Sequence, residues 1–288
     1  MASPGYRGLH QLADRHEPAF ATAIEATVVG LARQVTEDAV SLDMEDPGEP
    51  VRTLGILDGW QVTKARERDP TGLYAEILSG AAVRAAPDIA ASLRLTSPSV
   101  IRAAERLTAH LITDVTETTK QAVRKIISDA WRDGMAPRES AKLVKRIIGL
   151  DRRRATALAN FTRAQAGRPN ADAHVGKYAQ RLVKDRALTI ARSETIRAAN
   201  SGVQLGWREM QNAGLLPAAM EQIWIVAADD RLCELCAPMS GQVVSVRGMF
   251  QSTVRGVLPS EREEYSGATV EQPPLHPRLC CRCTIGAA

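Results

Sequence analysis

Aromatic residues are scarce in this chain: Phe, Trp and Tyr make up 4% of its 288 residues. The strands of a β-sandwich draw on aromatic and β-branched side chains, so this scarcity, beside abundant alanine, points to closely packed helices. No run approaches the ~20 apolar residues that a membrane-spanning helix needs. The opening MASPGYRGLHQLADRHEPAF has no basic segment leading into an apolar one, so a chain made in the cytosol and without a membrane anchor is expected. Cysteine is missing from the first 232 residues, and all five stand together as Cys233, Cys236, Cys280, Cys281 and Cys283. A disulfide framework in a secreted domain spreads its cysteines along the chain, whereas tight grouping suits reduced thiolates gathered on a metal. Internal repeats and low-complexity tracts are lacking too, which disfavours a solenoid.

With 44% apolar residues the chain can bury one sizeable core or two smaller ones. The net charge of +4 is too small to identify a partner, but its distribution is uneven. From Lys142 to Arg197 there are fourteen Lys/Arg against Asp151, Asp172, Asp185 and Glu194. Between Gln34 and Val51 lie six carboxylates and no basic residue. The basic stretch includes Lys142, Lys145, Arg146, Arg152, Arg153 and Arg154. These residues either neutralise DNA phosphates or form the wet face of two helices. Without interleaved aromatics, any such binding is expected to be electrostatic and independent of sequence.

Residues 9 to 42 carry one helical pattern, which fades into a Pro/Gly linker around 45–50. A second helix over 72–95 is expected to break near Pro87. Ser97 and Pro98 open the clearest element, Ser97 as cap and Pro98 at the first helical position. Its stripe of Ile101, Ala104, Leu107, Leu111, Ile112, Val115, Thr119, Ala122, Ile126, Ala130 and Trp131 keeps one face apolar as far as Gly134. That face suits either a partner's groove or interior packing. A short helix from Pro137 to Gly149, one capped by Asp151, and a long one from about Val175 to Ala213 follow. Beyond Pro217, Gln222–Val226 and Gln242–Val246 read as short antiparallel strands. The expected fold is therefore mainly α with a small C-terminal α+β unit, divided as 1–134 and 135–288.

Cys233 and Cys236 form a C-x2-C knuckle between those two strands, a turn in which both sulfurs converge on one ion. Two closures are open. One is an all-cysteine site completed by Cys280 and Cys283; the other brings in His276, from Pro273-Pro274-Leu275-His276-Pro277, in place of a late cysteine, with Cys281 also in reach. A structural Zn2+ is the expected ion, since tetrahedral sulfur and nitrogen ligation suits it. Buried apolar cysteines and an inter-group disulfide are the competing readings. Asp229 and Asp230 precede the knuckle as turn formers or as partners that orient a ligand. The other histidines, His10, His16, His110 and His174, lack ligand spacing and take no role.

Several of these features combine in a fixed order: Ala191-Arg192-Ser193-Glu194, then Asn200 and Gly202, Trp224, Asp229 to Cys236, Pro273 to Pro277, and Cys281-Arg282-Cys283. In that order residues 137 to 285 resemble the Mu F-like, or head morphogenesis, domain of tailed-phage minor head proteins. The family usually has one residue between His-Pro and Cys-Arg-Cys, whereas Arg278, Leu279 and Cys280 intervene here. The late ligand is therefore open. The resemblance implies a low-copy capsid component at the portal vertex that assists head assembly in the host cytoplasm, contacts the portal and other capsid proteins, and touches packaged double-stranded DNA.

Arg192, Glu194, Arg197 and Asn200 lie at helical offsets and are expected to form a structural polar cluster. No nucleophile or second catalytic acid accompanies Glu194, so no enzyme is expected. The alternatives are a zinc-dependent hydrolase or toxin-like enzyme on the same domain, and a zinc-ribbon DNA-binding protein.

Overall fold

A computed structural model describes residues 4–45, 50–57, 71–227, 232–257, 264–265, 267–276 and 282–288. The expected linker around 45–50 lies largely outside them, as do Asp229, Asp230, Cys280 and Cys281. The helices are α1 (Pro4–Ala32), α2 (Glu37–Glu45), α3 (residues 51–57), α4 (Thr71–Ala85), α5 (Pro98–Arg132), α6 (Pro137–Ile147), α7 (Arg152–Gln165) and α8 (Ala171–Asn212). Short 3-10 turns cover Pro87–Leu93 and Ala237–Met239. The strands are β1 (Glu221–Ile225), β2 (Val243–Ser245), β3 (Phe250–Ser252), β4 (Gly256–Val257), β5 (Glu264–Tyr265), β6 (Ala268–Val270) and β7 (Thr284–Ala287). The mainly helical architecture with a small antiparallel C-terminal sheet is the one expected. Among the described residues no helix is long and apolar enough to cross a membrane.

Local chemistry explains most helix ends. Gly134, Gly149 and Gly214 have φ of +66°, +80° and +71° just past α5, α6 and α8, a backbone conformation that glycine adopts without a Cβ penalty. Asp151 accepts from the Arg154 amide at 2.8 Å and so caps α7. Two expectations need correction. The single helical pattern over 9–42 is two helices, because Thr36 caps a new start by accepting from the Ala39 amide at 3.2 Å. Ser97 does not cap α5 through its hydroxyl, whose oxygen is buried without a hydrogen-bond partner.

The chain forms two compact units, each assembled from separate segments: residues 1–20, 70–108 and 188–288 in one, 21–69 and 109–187 in the other. Residues 1–134 and 135–288 each contribute to both.

The second unit is wholly helical among its described residues. Its core joins Leu31 of α1, Val35 of the turn that follows it, Val40 of α2, Leu57 of α3, Ile126 and Ile127 of α5, Val144 and Ile147 of α6, and Leu158 of α7. Asp43, itself buried, accepts from the amides of Arg52 and Thr53 at 3.0 and 2.8 Å and so closes the first turn of α3. Arg186 is buried, and its guanidinium donates to the Gly149 carbonyl and the Thr118 hydroxyl. Burial lowers its pKa to about 10. A cation donating to a carbonyl just beyond the end of α6 also suits the negative pole of that helix.

In the first unit, Gly202 and Gly206 of α8 lie against α4. A Cβ on Gly202 would stand 2.5 Å from the Leu78 carbonyl oxygen, and one on Gly206 2.8 Å from that of Ala82. The expected stripe of α5 is largely interior, with Ala104, Leu111, Val115, Thr119, Ala122, Ile126 and Ala130 all buried. Among the described side chains of the stripe Leu107 is half-buried and only the ends, Ile101 and Trp131, are exposed; the side chain of Ile112 lies outside the description.

Candidate metal centre

β1 lies between β2 and β7 in an antiparallel sheet, Gln222 opposite Val244 on one side and Trp224 opposite Ile285 on the other. The connection from β1 to β2 carries the first cysteine pair. Its base is closed where the Trp224 amide donates to Gln242 at 2.8 Å and the Gly241 amide returns to Trp224 at 2.9 Å. Trp224 is buried and meets the Phe250 ring edge-on at 5.1 Å. Within the connection Leu235, Cys236 and Met239 are buried. The amides of Cys236 and Ala237 both turn back to the Cys233 carbonyl, at 3.1 and 3.0 Å. This turn makes the knuckle.

From the other direction β6, paired with β3, delivers residues 271–276. His276 is buried, and its Nε2 lies 3.1 Å from the Cys233 sulfur and 3.5 Å from that of Cys236. One ligand atom from each of the three residues falls within 4.8 Å of the others. Tetrahedral zinc with bonds of about 2.3 Å to sulfur and 2.0–2.1 Å to nitrogen separates such atoms by about 3.6 Å. The Cys236–His276 distance matches that edge, and the Cys233–His276 distance needs an opening of about half an ångström. Two soft thiolates and an imidazole are a donor set for Zn2+ rather than for a hard cation. The residues present fit a metal.

Of the six expected ligands, the structure thus brings together Cys233, Cys236 and His276. Cys283 is buried and stands outside that group; its backbone carbonyl faces the Asn200 amide at 3.5 Å. Cys280 and Cys281 lie outside the described residues. No disulfide joins Cys233, Cys236 and Cys283 to one another.

Of the four polar residues of α8, Glu194 and Arg197 face each other, while Arg192 and Asn200 turn to other elements. Glu194, buried, accepts from the Tyr74 hydroxyl at 2.7 Å and faces Arg197 at 3.4 Å. Arg192 turns to α1 and donates to Glu17 at 2.8 Å. Asn200 turns to the sheet, accepting from the Ile285 amide at 3.0 Å and the Thr284 hydroxyl at 2.8 Å. One further turn along, Gln204 is buried and donates to Gln222 at 3.3 Å and to the Glu271 carbonyl at 3.2 Å. Gln204 was not singled out in the sequence. The signal was there: Asn200, Gln204 and Arg208 recur at four-residue steps and so share one face of the helix. His10, given no role, is half-buried beside Arg282. Its pKa is lowered, mainly by burial and next by the Arg282 charge.

Of the basic residues, Lys142, Lys145, Arg152 and Arg153 are exposed on α6 and the first turn of α7. Arg146 pairs with Asp172 at 3.3 Å, and Arg154 pairs with its own capping residue, Asp151. A comparison with known proteins finds no family model, no curated protein and no solved structure that matches this chain.

Proposed function

We propose that this is a zinc-binding protein in which Cys233, Cys236 and His276 hold a Zn2+ that fastens the C-terminal sheet. The observation that carries the reading is the convergence of two thiols and one imidazole, from segments forty residues apart in sequence, on one partly buried point. Three short strands bury little apolar surface of their own, and metal ligation supplies folding free energy to such a unit. A metal held by these three residues would crosslink the β1–β2 connection to the arm that carries His276.

The fastened unit serves assembly rather than catalysis in this reading. The ordered motifs from Ala191 to Cys283 support a minor head protein of a tailed phage, working with the portal and other capsid proteins. In this reading the exposed cations of α6 and α7 contact packaged duplex DNA through its phosphates. Recovery of the chain with the portal protein from assembled heads tests this role.

The ligand count favours a second reading. Three described ligands leave one tetrahedral position, which a late cysteine closes or a water occupies, and an open position is what a zinc hydrolase or toxin-like enzyme needs. Elemental analysis and X-ray absorption on the full chain separate the two. About one zinc with four protein ligands is expected. Two sulfurs, one nitrogen and one exchangeable oxygen would move the assignment to the enzyme, and absence of zinc would remove both.

A further inference from the structure

Asn200 of α8 does not touch the metal-binding side chains, yet its side-chain amide is fully committed on their behalf. Its Oδ1 accepts from the Ile285 amide at 3.0 Å and the Thr284 hydroxyl at 2.8 Å. Its Nδ2 donates to the Ile196 carbonyl at 2.9 Å, with the Cys283 carbonyl at 3.5 Å. An asparagine offers two lone pairs and two N–H groups, and here each has a partner. The Ile285 amide can only donate, which settles which end of the side chain is oxygen. The residue is 2% exposed, so no water competes for these bonds.

The next polar residues of α8 hold the other arm of the site. Ser201 accepts from Gln272 at 2.5 Å, and Gln204 donates to the Glu271 carbonyl and to Gln222 of β1. Gln222, wholly buried, donates onward to the Ser245 carbonyl of β2 at 3.2 Å. One helix face thus pins β1, which in turn holds β2 and with it flanks the Cys233 knuckle; residues 271–272, four residues before His276; and residues 283–285, which begin at the last cysteine. None of these bonds involves a ligand atom, so they are made whether or not an ion is bound.

We propose that Asn200 is a positioning residue for the metal site, with α8 as the rigid bar from which the arms carrying the ligands are hung. The proposal rests on the zinc reading above. Arms already fixed lose less conformational freedom when the ion is captured, and partners outside the ligand set typically set metal affinity by about 10–100-fold. Asn200→Ala removes four bonds at once and is expected to weaken zinc binding by about 10–100-fold. Thr284→Val keeps the shape, removes one bond, and is expected to weaken it by a smaller factor.

The test is a chelator-competition titration of full-length protein with zinc, repeated with Co2+ to read coordination from its d–d bands. Leu93→Ala is the control: Leu93 is wholly buried in the apolar cluster with Ala82, Ala86 and Met210, away from the clamp. It is expected to lower the melting temperature and leave zinc affinity unchanged. Should Asn200→Ala fail to fold, Thr284→Val decides. If the parent binds one zinc and the clamp variants bind it equally well, the positioning role is overturned while the zinc reading stands. A loss with Leu93→Ala as large as that with Asn200→Ala also overturns it, since affinity would then follow general stability. A parent that takes up no zinc ends both.

Discussion

The hydroxyl of Tyr74 donates to Oε2 of Glu194 at 2.7 Å, joining α4 to α8 across 120 residues of sequence. Phe20 of α1 meets the Tyr74 ring edge-on at 4.9 Å, and Arg197 stands 3.4 Å from the other carboxyl oxygen. Glu194 had no catalytic companion in the sequence. In the fold it is the polar centre of a packed helix junction.

Tyr74→Phe keeps the ring and removes the hydroxyl that makes this bond. It is expected to destabilise the protein by about 1–3 kcal/mol, because a buried carboxyl loses a partner that water cannot replace. Urea unfolding should show a lower midpoint at unchanged slope. A midpoint equal to the parent's would mean that the bond adds nothing net.

Two glycines of α8 should behave oppositely. A Cβ at Gly202 meets the Leu78 carbonyl oxygen at 2.5 Å and the Ala81 methyl at 2.8 Å, whereas one at Gly176 meets nothing within 4 Å. Gly202→Ala is expected to cost about 1–3 kcal/mol through forced backbone separation. Gly176→Ala should stabilise by about 0.5–1 kcal/mol through helix propensity. Melting temperatures of the two variants shifting in the same direction would contradict the packing described.

If the exposed cations of α6 and α7 contact DNA, replacing Lys142, Arg152 and Arg153 by Glu should weaken duplex binding. The slope of log affinity against log salt should fall by about 0.9 for each lost phosphate contact. Arg154 is left intact because it pairs with Asp151, the cap of α7. Fluorescence anisotropy at several salt concentrations provides the measurement, and an unchanged slope would return these residues to the role of a solvated helix face.

Stability should depend on pH through His10. Burial, and next the Arg282 charge, hold its folded-state pKa below the ordinary 6.5, with Asp14 opposing. The unfolded chain therefore takes up this proton more readily, and the stability from keeping the imidazole neutral is full above 6.5 and lost as pH falls through the lowered value. Melting temperature should decline on acidification below 6.5, and His10→Gln should flatten that decline. An equally steep fall in the variant would place the titrating group elsewhere.

Much of this protein was legible in its residue order. Proline and glycine punctuation, the Asp151 cap and three- to four-residue apolar steps located α5 to α8, and a short β-rich run around Trp224 located β1. These signals act within a few residues through backbone sterics and hydrogen bonding, so a single sequence carries them. The Cys233 knuckle and the histidine arm were legible for the same reason. What only the tertiary structure decided is which distant groups meet. His276 reaches the two thiols while Cys283 presents its carbonyl to Asn200, because pairing of β7 with β1 and the polar face of α8 set the direction of that strand. The division at residue 134 could not anticipate units assembled from separate segments, with boundaries inside α1, α5 and α8. A helix reads as one element locally, but the unit to which each of its turns belongs depends on the partners that bury it, and those come from remote parts of the chain.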